Sequence, residues 1–337
     1  MPTELNLPVP PARASRRHLG ALLVALALLP LGAPAARAQA APLVVATVGM
    51  IGDVAAELAG SCATVTTLVG SGSDPHLYRA SAGDVRALSR ADLILYGGLH
   101  LEAGLAQVLD GFEGRIPVVA VSEAAVPAER RIRASAAGGV YDPHVWMDVS
   151  QWRDAVPVIE AALVEHAVDA GCAPEVAARA AEYRALLDDL HAWALAAIAS
   201  VPAEQRVLVT AHDAFEYFGR AYGIEVEGIQ GISTETEAAV ADIRRVAELV
   251  VVRCVPALFV ESTINPRTVN AVLEAVEQRG GRAVIGDELF ADALGASGTP
   301  EGTYVGMLLH NVSAIVVALG GELPPLPATL AAWETRW

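Results

Sequence analysis

Cysteine is scarce in this chain of 337 residues: Cys62, Cys172 and Cys254 lie far apart, and no C-x-x-C pair occurs. A zinc knuckle and a thioredoxin-like redox motif are thereby excluded. One disulfide with a thiol left over fits the spacing, and so do three separate thiols. Basic residues are also few, 23 against 39 acidic ones, giving a formal net charge of −16, and no Lys/Arg run follows the N-terminus. Such a surface repels nucleic acid and argues against that class of partner. The acidity suits attraction of cations, and it equally suits an ordinary solvated surface. No H-E-x-x-H, G-x-S-x-G elbow, low-complexity tract or tandem repeat is present, so the short signatures of zinc peptidases and serine hydrolases are missing. Apolar side chains, by contrast, make up 53% of the chain. That is enough for two ordinary domains, each burying a core, and it argues against disorder.

The first forty residues differ in composition from the rest. Arg13, Arg16 and Arg17 precede a Leu/Ala-rich run from Leu19 to Leu31, and Ala36-Arg37-Ala38 follows. A basic region, an apolar region and a small-x-small site in that order predict a signal peptide over residues 1–40, cleaved after Ala38 or Ala40. The apolar run is short for a membrane span, and no cysteine stands where a lipid anchor would be attached. Ser15-Arg16-Arg17 also fits a twin-arginine signal, so the general secretory and twin-arginine routes are both open. The expectation is a soluble, monomeric periplasmic protein. Its formal charge becomes −19 once the four arginines and one glutamate of the leader are gone.

Beyond the leader, Leu43 to Val48, Val65 to Val69, Leu93 to Tyr96 and Val118 to Val121 read as buried strands. Helical patterns such as Ser81 to Leu88 lie between them. This alternation predicts a parallel sheet covered on both faces. From Pro174 to about Ser200, Tyr183, Leu187, Leu190, Ala194 and Ile198 recur at helical intervals, and a proline occupies the first turn, so one long helix is expected. Pro202 ends it. A second alternating series follows, with strands at Val207 to Thr210, Ile224 to Val226, Ala257 to Val260 and Ala283 to Ile285. Helices are expected at Ala214 to Tyr222, Glu235 to Arg253, Pro266 to Arg279 and Pro300 to Leu319. Asn265 and Thr299 each place a capping side chain before a first-turn proline. The division that results is a signal peptide (1–40), an N-terminal α/β lobe (41–171), a rigid linking helix (172–202) and a C-terminal α/β lobe (203–337).

Eight histidines occur. His18 falls in the leader, and His166, His191 and His310 fall inside predicted helices, where ordinary surface or core roles suit them. His76 follows Ser73-Asp74-Pro75, His144 follows Tyr141-Asp142-Pro143, and His212 lies just beyond the strand Val207 to Thr210. In open α/β sheets, ligands bind outside the carboxyl ends of the strands. Three imidazoles converging there with a carboxylate would suit zinc or another borderline divalent ion. Proline stiffens each Asp-Pro-His, holding the imidazole on a restricted backbone. The same motif also reads as a plain turn with an exposed histidine, and spacing alone does not separate the two.

Three longer strings carry more information: YDPHVWMD from Tyr141 to Asp148, VTAHDAFEYFGRAYGIEVEGIQGIST from Val209 to Thr234, and ELFADALGASGTPEGTYVGMLLHN from Glu288 to Asn311. They resemble the zinc/manganese solute-binding proteins of ABC importers, in particular the TroA-like branch, and the similarity covers essentially the whole chain after the leader. The resemblance implies two α/β lobes, each with a four-stranded parallel sheet flanked by helices, joined by one long helix with the metal at their interface. It also implies His76 and His144 as ligands from the first lobe, with His212 and Asp292 from the second. Asp287 lies outside the matching position. Glu261, at a strand end, reads either as a carboxylate orienting a ligating imidazole through its other nitrogen or as one side of a salt bridge. His100, in GGLHLE, reads as structural or solvent-facing. Asp74, Asp142 and Asp213, beside the histidines, read either as acceptors of hydrogen bonds from them or, more simply, as turn or cap formers.

Three neutral imidazoles and one carboxylate suit zinc best, and the Irving–Williams order agrees. In the family a glutamate at the third position leans towards manganese, so His212 favours zinc. Yet residues 126–141 lack the histidine-rich loop of many zinc-specific relatives, which keeps manganese as the alternative. The implied function is capture of one such ion in the periplasm and delivery to an inner-membrane permease, without catalysis. The rivals are a zinc-dependent metallohydrolase, which needs an open coordination position and a general base, and an extracytoplasmic metal chaperone or adhesin.

Overall fold

The computed structural model describes residues 41–134 and 140–337; the expected leader lies outside them. Runs of aliphatic and β-branched residues form the first sheet: Leu43–Ala46 (β1), Thr64–Thr67 (β2), Leu93–Tyr96 (β3) and Val118–Ala120 (β4). All are parallel, in the order β2-β1-β3-β4. Helices Gly49–Ala59 (α1), Ala82–Leu88 (α2), Ala106–Asp110 (α3) and Val121–Ala125 (α4) connect and flank them. Val149–Trp152 (α5) and Ala155–His166 (α6) complete this lobe, and Ala173–Ser200 (α7) is the long helix read from the sequence. The second sheet repeats the topology with Val207–His212 (β5), Glu225–Gln230 (β6), Ala257–Leu258 (β7) and Val284–Ile285 (β8), parallel in the order β6-β5-β7-β8. Its helices are Glu216–Tyr222 (α8), Val240–Arg253 (α9), Arg267–Gln278 (α10), Tyr304–Ala318 (α11) and Ala328–Glu334 (α12).

In each sheet the strand order reverses between the first and third strands, and this switch point opens a crevice beyond the strand ends. Strand positions follow the sequence reading; burial does so less well. β1, β3 and β5 are buried, whereas β2 and β4 lie at sheet edges and are only partly covered. Alternating threonines in β2 suit an edge strand with one wet face.

Two helix starts move. Residues 231–239 do not continue α9 backwards, because the Gln230 side-chain amide donates to the carbonyls of Thr234 and Thr236 at 3.1 and 2.7 Å. The helix begins where the Asp242 carboxylate accepts the Ala239 N–H at 3.1 Å. Likewise Pro300–Gly302 is a separate 3-10 turn. Thr299 spends its hydroxyl on Ala296, and Thr303 instead caps α11 by accepting the Gly306 N–H at 3.1 Å. Gly306 is required there, since a Cβ at that position would lie 1.9 Å from the Pro300 carbonyl oxygen. Asn265 does cap as expected, accepting the Arg267 N–H at 3.1 Å.

The stripe Tyr183, Leu187, Leu190, Ala194 and Ile198 of α7 is buried as the spacing requires. It belongs to one hydrophobic core that runs through both lobes, from Val44 and Leu95 to Phe215, Leu308 and Trp333. Separate cores cover the outer faces of the two sheets. Cys62, just after α1, is bonded to Cys172, just before α7, which decides the pairing the sequence left open; Cys254 is free and exposed.

Candidate metal centre

Both Asp-Pro-His segments fold as tight turns in which the aspartate accepts the backbone N–H of the histidine two residues on, at 2.8 Å for Asp74 and His76 and 2.9 Å for Asp142 and His144. Proline between them fixes the backbone, so each turn aims its imidazole in one direction. His212 is the last residue of β5, one step inside the strand rather than beyond it, at the β5/β7 switch point. Asp292 lies on a loop hung from the end of β7: Leu289 N–H donates to Val260 and Ser262 N–H to Leu289. Asn311 of α11 grips both polar groups of the Phe290 backbone, at 2.9 and 2.7 Å.

These four side chains meet. Asp292 Oδ1 lies 3.2 Å from His144 Nε2, and its Oδ2 lies 3.2 Å from His212 Nε2 and 3.7 Å from His76 Nε2. The Nε2 atoms of His76 and His144 are 3.3 Å apart. Tetrahedral bonds of about 2.05 Å place neighbouring donors roughly 3.3 Å apart; the shorter of these spacings are of that size, and one donor atom from each of the four residues lies within 4.8 Å of the others. All four residues are at most 5% exposed. Both Asp292 oxygens and His212 Nε2 lack a hydrogen-bond partner. Buried polar atoms left unpaired in a native fold call for a specific cause, and a bound cation supplies one.

The far nitrogens are held as well. Asp142 Oδ1 lies 2.7 Å from His144 Nδ1, and Glu261 Oε2 lies 2.5 Å from His212 Nδ1 while Oε1 accepts the His212 N–H at 2.9 Å. Each carboxylate therefore fixes the tautomer that leaves Nε2 free to face the cluster. Electrostatics divide the imidazoles. Burial opposes charge on His144, but Asp142 and Asp292 outweigh it and lift its pKa to about 9. Burial is likewise outweighed at His212, by Glu261 and then Asp292, so its pKa stands well above the usual value. His76 has no dedicated carboxylate on its other nitrogen, and burial lowers it to about 4 despite Asp292. Burial pushes Asp292 upward, but His212 and His144 hold it well below the ordinary carboxylate range.

Every residue of the quartet anticipated from the sequence is in this cluster, and Glu261 contacts it from behind. Asp142 does more than shape a turn, because one oxygen serves both the backbone and the ring of His144. Asp74 makes its turn and also accepts the Thr234 hydroxyl from the other lobe at 2.5 Å. His100 is exposed on left-handed backbone, His191 contacts Tyr222, His310 contacts the Glu288 carbonyl and Asp287 is exposed. None of these joins the cluster, and among the described residues no other such group of potential ligands occurs.

Comparison with known proteins agrees with this architecture. Residues 44–318 match the family described as zinc-uptake complex component A, periplasmic (ZnuA). The zinc-binding protein TroA of Treponema pallidum is 45% identical over 309 residues, 90% of this chain and 99% of that protein. The manganese-binding lipoprotein MntA of Bacillus subtilis is 42% identical over 280 residues, 82% of this chain and 89% of the relative. The solved structure of the periplasmic zinc-binding protein TroA superposes with a TM-score of 0.80 at 47% identity, covering 83% of this chain and 99% of that one. With matching sequence, matching fold and a buried donor cluster between two parallel sheets, the chain belongs to the ZnuA family of periplasmic metal-uptake components.

Proposed function

We propose that this protein captures one divalent transition-metal ion, zinc in preference to manganese, through His76, His144, His212 and Asp292, and delivers it to the permease of an ABC importer. Residues 1–40 act as the cleaved leader, 41–171 and 203–337 as the two lobes, and 172–202 as the helix between them. The observation that carries this reading is the meeting of four buried donors, drawn from both lobes, within 4.8 Å of one another. Glu261 and Asp142 orient His212 and His144 by holding Nδ1, which raises the basicity of the nitrogen offered to the ion.

The burial of all four donors supports storage and delivery over hydrolysis, since a catalytic zinc needs an exposed fourth position for water and substrate. Zinc is favoured by a donor set of three imidazoles and one carboxylate. Manganese needs more oxygen, which only Asp292 supplies within the cluster. On binding, the ion displaces protons carried by the imidazoles, because it takes the unprotonated nitrogen. Because the main core is continuous through both lobes, the accompanying movement is modest.

Elemental analysis of the mature chain purified without added metal, followed by zinc-against-manganese competition, tests the choice of ion. Ligand assignment is tested by substitution. His144→Ala should abolish the zinc-induced rise in melting temperature, which amounts to about 4 kcal/mol of added stability at a thousandfold excess over Kd, while His191→Ala retains it. Equal behaviour of the two variants would refute the assignment. Delivery is read as metal uptake with the cognate permease, and its failure would favour the chaperone alternative.

A further inference from the structure

Asp53, on α1, lies outside the donor cluster yet ties three elements together. Its Oδ2 accepts the N–H of Tyr304, the first residue of α11, at 2.9 Å and lies 3.5 Å from the Tyr183 hydroxyl of α7. A chain of hydrogen bonds continues from there. The Tyr304 hydroxyl donates to the Trp146 carbonyl at 2.7 Å, and the Trp146 indole N–H donates to the Ala291 carbonyl at 3.0 Å. Trp146 stands edge-on to the His144 ring, with centroids 5.3 Å apart, and Ala291 immediately precedes Asp292. Tyr304 and Trp146 are fully buried. The path crosses from the first lobe to the second, back to the first and again to the second, and it ends at two donors.

Two features make Asp53 more than one contact among many. An acceptor at the N-terminus of a 15-residue helix meets unpaired N–H groups and a favourable dipole. Asp53 also lines a cavity of about 310 Å³, together with Val65, Thr67, Val69 and Leu294 among others, at the side of this contact.

We propose that Asp53 is a positioning residue for metal retention: by fixing Tyr304 it holds Trp146, and through Trp146 the His144 ring and the Asp292 loop, and so sets how slowly the ion leaves. The inference rests on the capture-and-delivery reading above. What the position requires is an acceptor, with or without charge. Burial, reinforced by the charge of Glu57, pushes Asp53 up to about 7 against the lowering effects of the Tyr304 N–H and the Tyr183 hydroxyl.

Zinc release from the loaded mature chain, followed by stopped-flow capture with excess chelator, tests the proposal. Asp53→Ala should release zinc about tenfold faster, the size of one net hydrogen bond, with one ion still bound per chain and the association rate unchanged. Asp53→Asn keeps an oxygen facing the Tyr304 N–H and should return the rate to within about threefold of wild type. Tyr304→Phe, which cuts the middle link, should also speed release, and Asp53→Ala/Tyr304→Phe should be no faster than the faster single variant, because both act on one path. Wild-type release from Asp53→Ala, or additive effects in the double variant, overturns the proposal and leaves the capture reading intact. Should Asp53→Ala not fold, an unchanged rate in Tyr304→Phe overturns it equally. Failure of the wild-type chain to hold zinc would instead overturn the capture reading.

Discussion

Asp292 is the single anion facing three imidazoles, and the pKa pattern around it sets how protons and metal compete. His144 stands near 9, so at neutral pH the metal-free ring carries a proton that an incoming ion must expel. Because the ion binds the unprotonated nitrogen, apparent affinity should rise with pH between 6 and 9, by up to about tenfold per unit for each proton displaced. Competition titrations against a chelator at several pH values check this, and a flat profile would contradict it. The sign for stability without metal is opposite. The His144 pKa is raised from 6.5 to about 9, so its contribution is complete below the unfolded value and fades as pH rises through the folded one. At Glu261 the expected outcome is smaller. Glu261→Gln loses the charge on His212 Nδ1 and should weaken zinc binding about 10- to 100-fold, read by the same competition. Sequence alone left Glu261 balanced between this role and a salt bridge, because the choice depends on β5 lying beside β7, a non-local fact. For Asp142 the turn was the simpler reading and a bond to the neighbouring histidine the alternative, because Asp-Pro-His dictates the backbone bond but not the ring rotamer that brings Nδ1 to the same oxygen.

Among the secondary-structure elements, α11 matters most for the site. Capped by Thr303, it carries Tyr304 at its start to Asp53 and Asn311 at its middle to the Asp292 loop. Thr303→Ala removes the cap and should cost about 1 kcal/mol of stability, measured by denaturant unfolding of the metal-free chain; no change would show that the cap is redundant. Periodicity and proline placement made α7 and each strand run readable, whereas the short helices α5 and α12 were not read. Starting points were not readable either. Thr299-Pro300 reads as the beginning of α11, but the chain makes a separate 3-10 turn there and the helix starts under the Thr303 cap. In α9 the Gln230 amide claims carbonyls that a longer helix would have used.

On the scale of the whole molecule, the main core passes unbroken from one lobe through α7 to the other. Both lobes should therefore unfold in one cooperative transition. The Cys62–Cys172 bond, spanning 110 residues, constrains the unfolded chain of the first lobe. Cys62→Ser/Cys172→Ser should lower stability by about 2–5 kcal/mol while preserving the single transition. Two resolved transitions in calorimetry would show that the lobes are energetically separate. Alternation of strands and helices made the two-lobe plan legible from the sequence, but the shared core was not, because its members come from distant segments that periodicity treats one at a time.

The position of the disulfide has a topological consequence. Both Asp-Pro-His turns, with His76 and His144, lie inside the covalent ring closed by Cys62 and Cys172. A protease that cuts one peptide bond anywhere within that ring leaves the two pieces on a single molecule, with both imidazoles still tethered. In an oxidising compartment the first lobe can thus be nicked once without shedding a donor, and the fragments should part on a denaturing gel only after reduction.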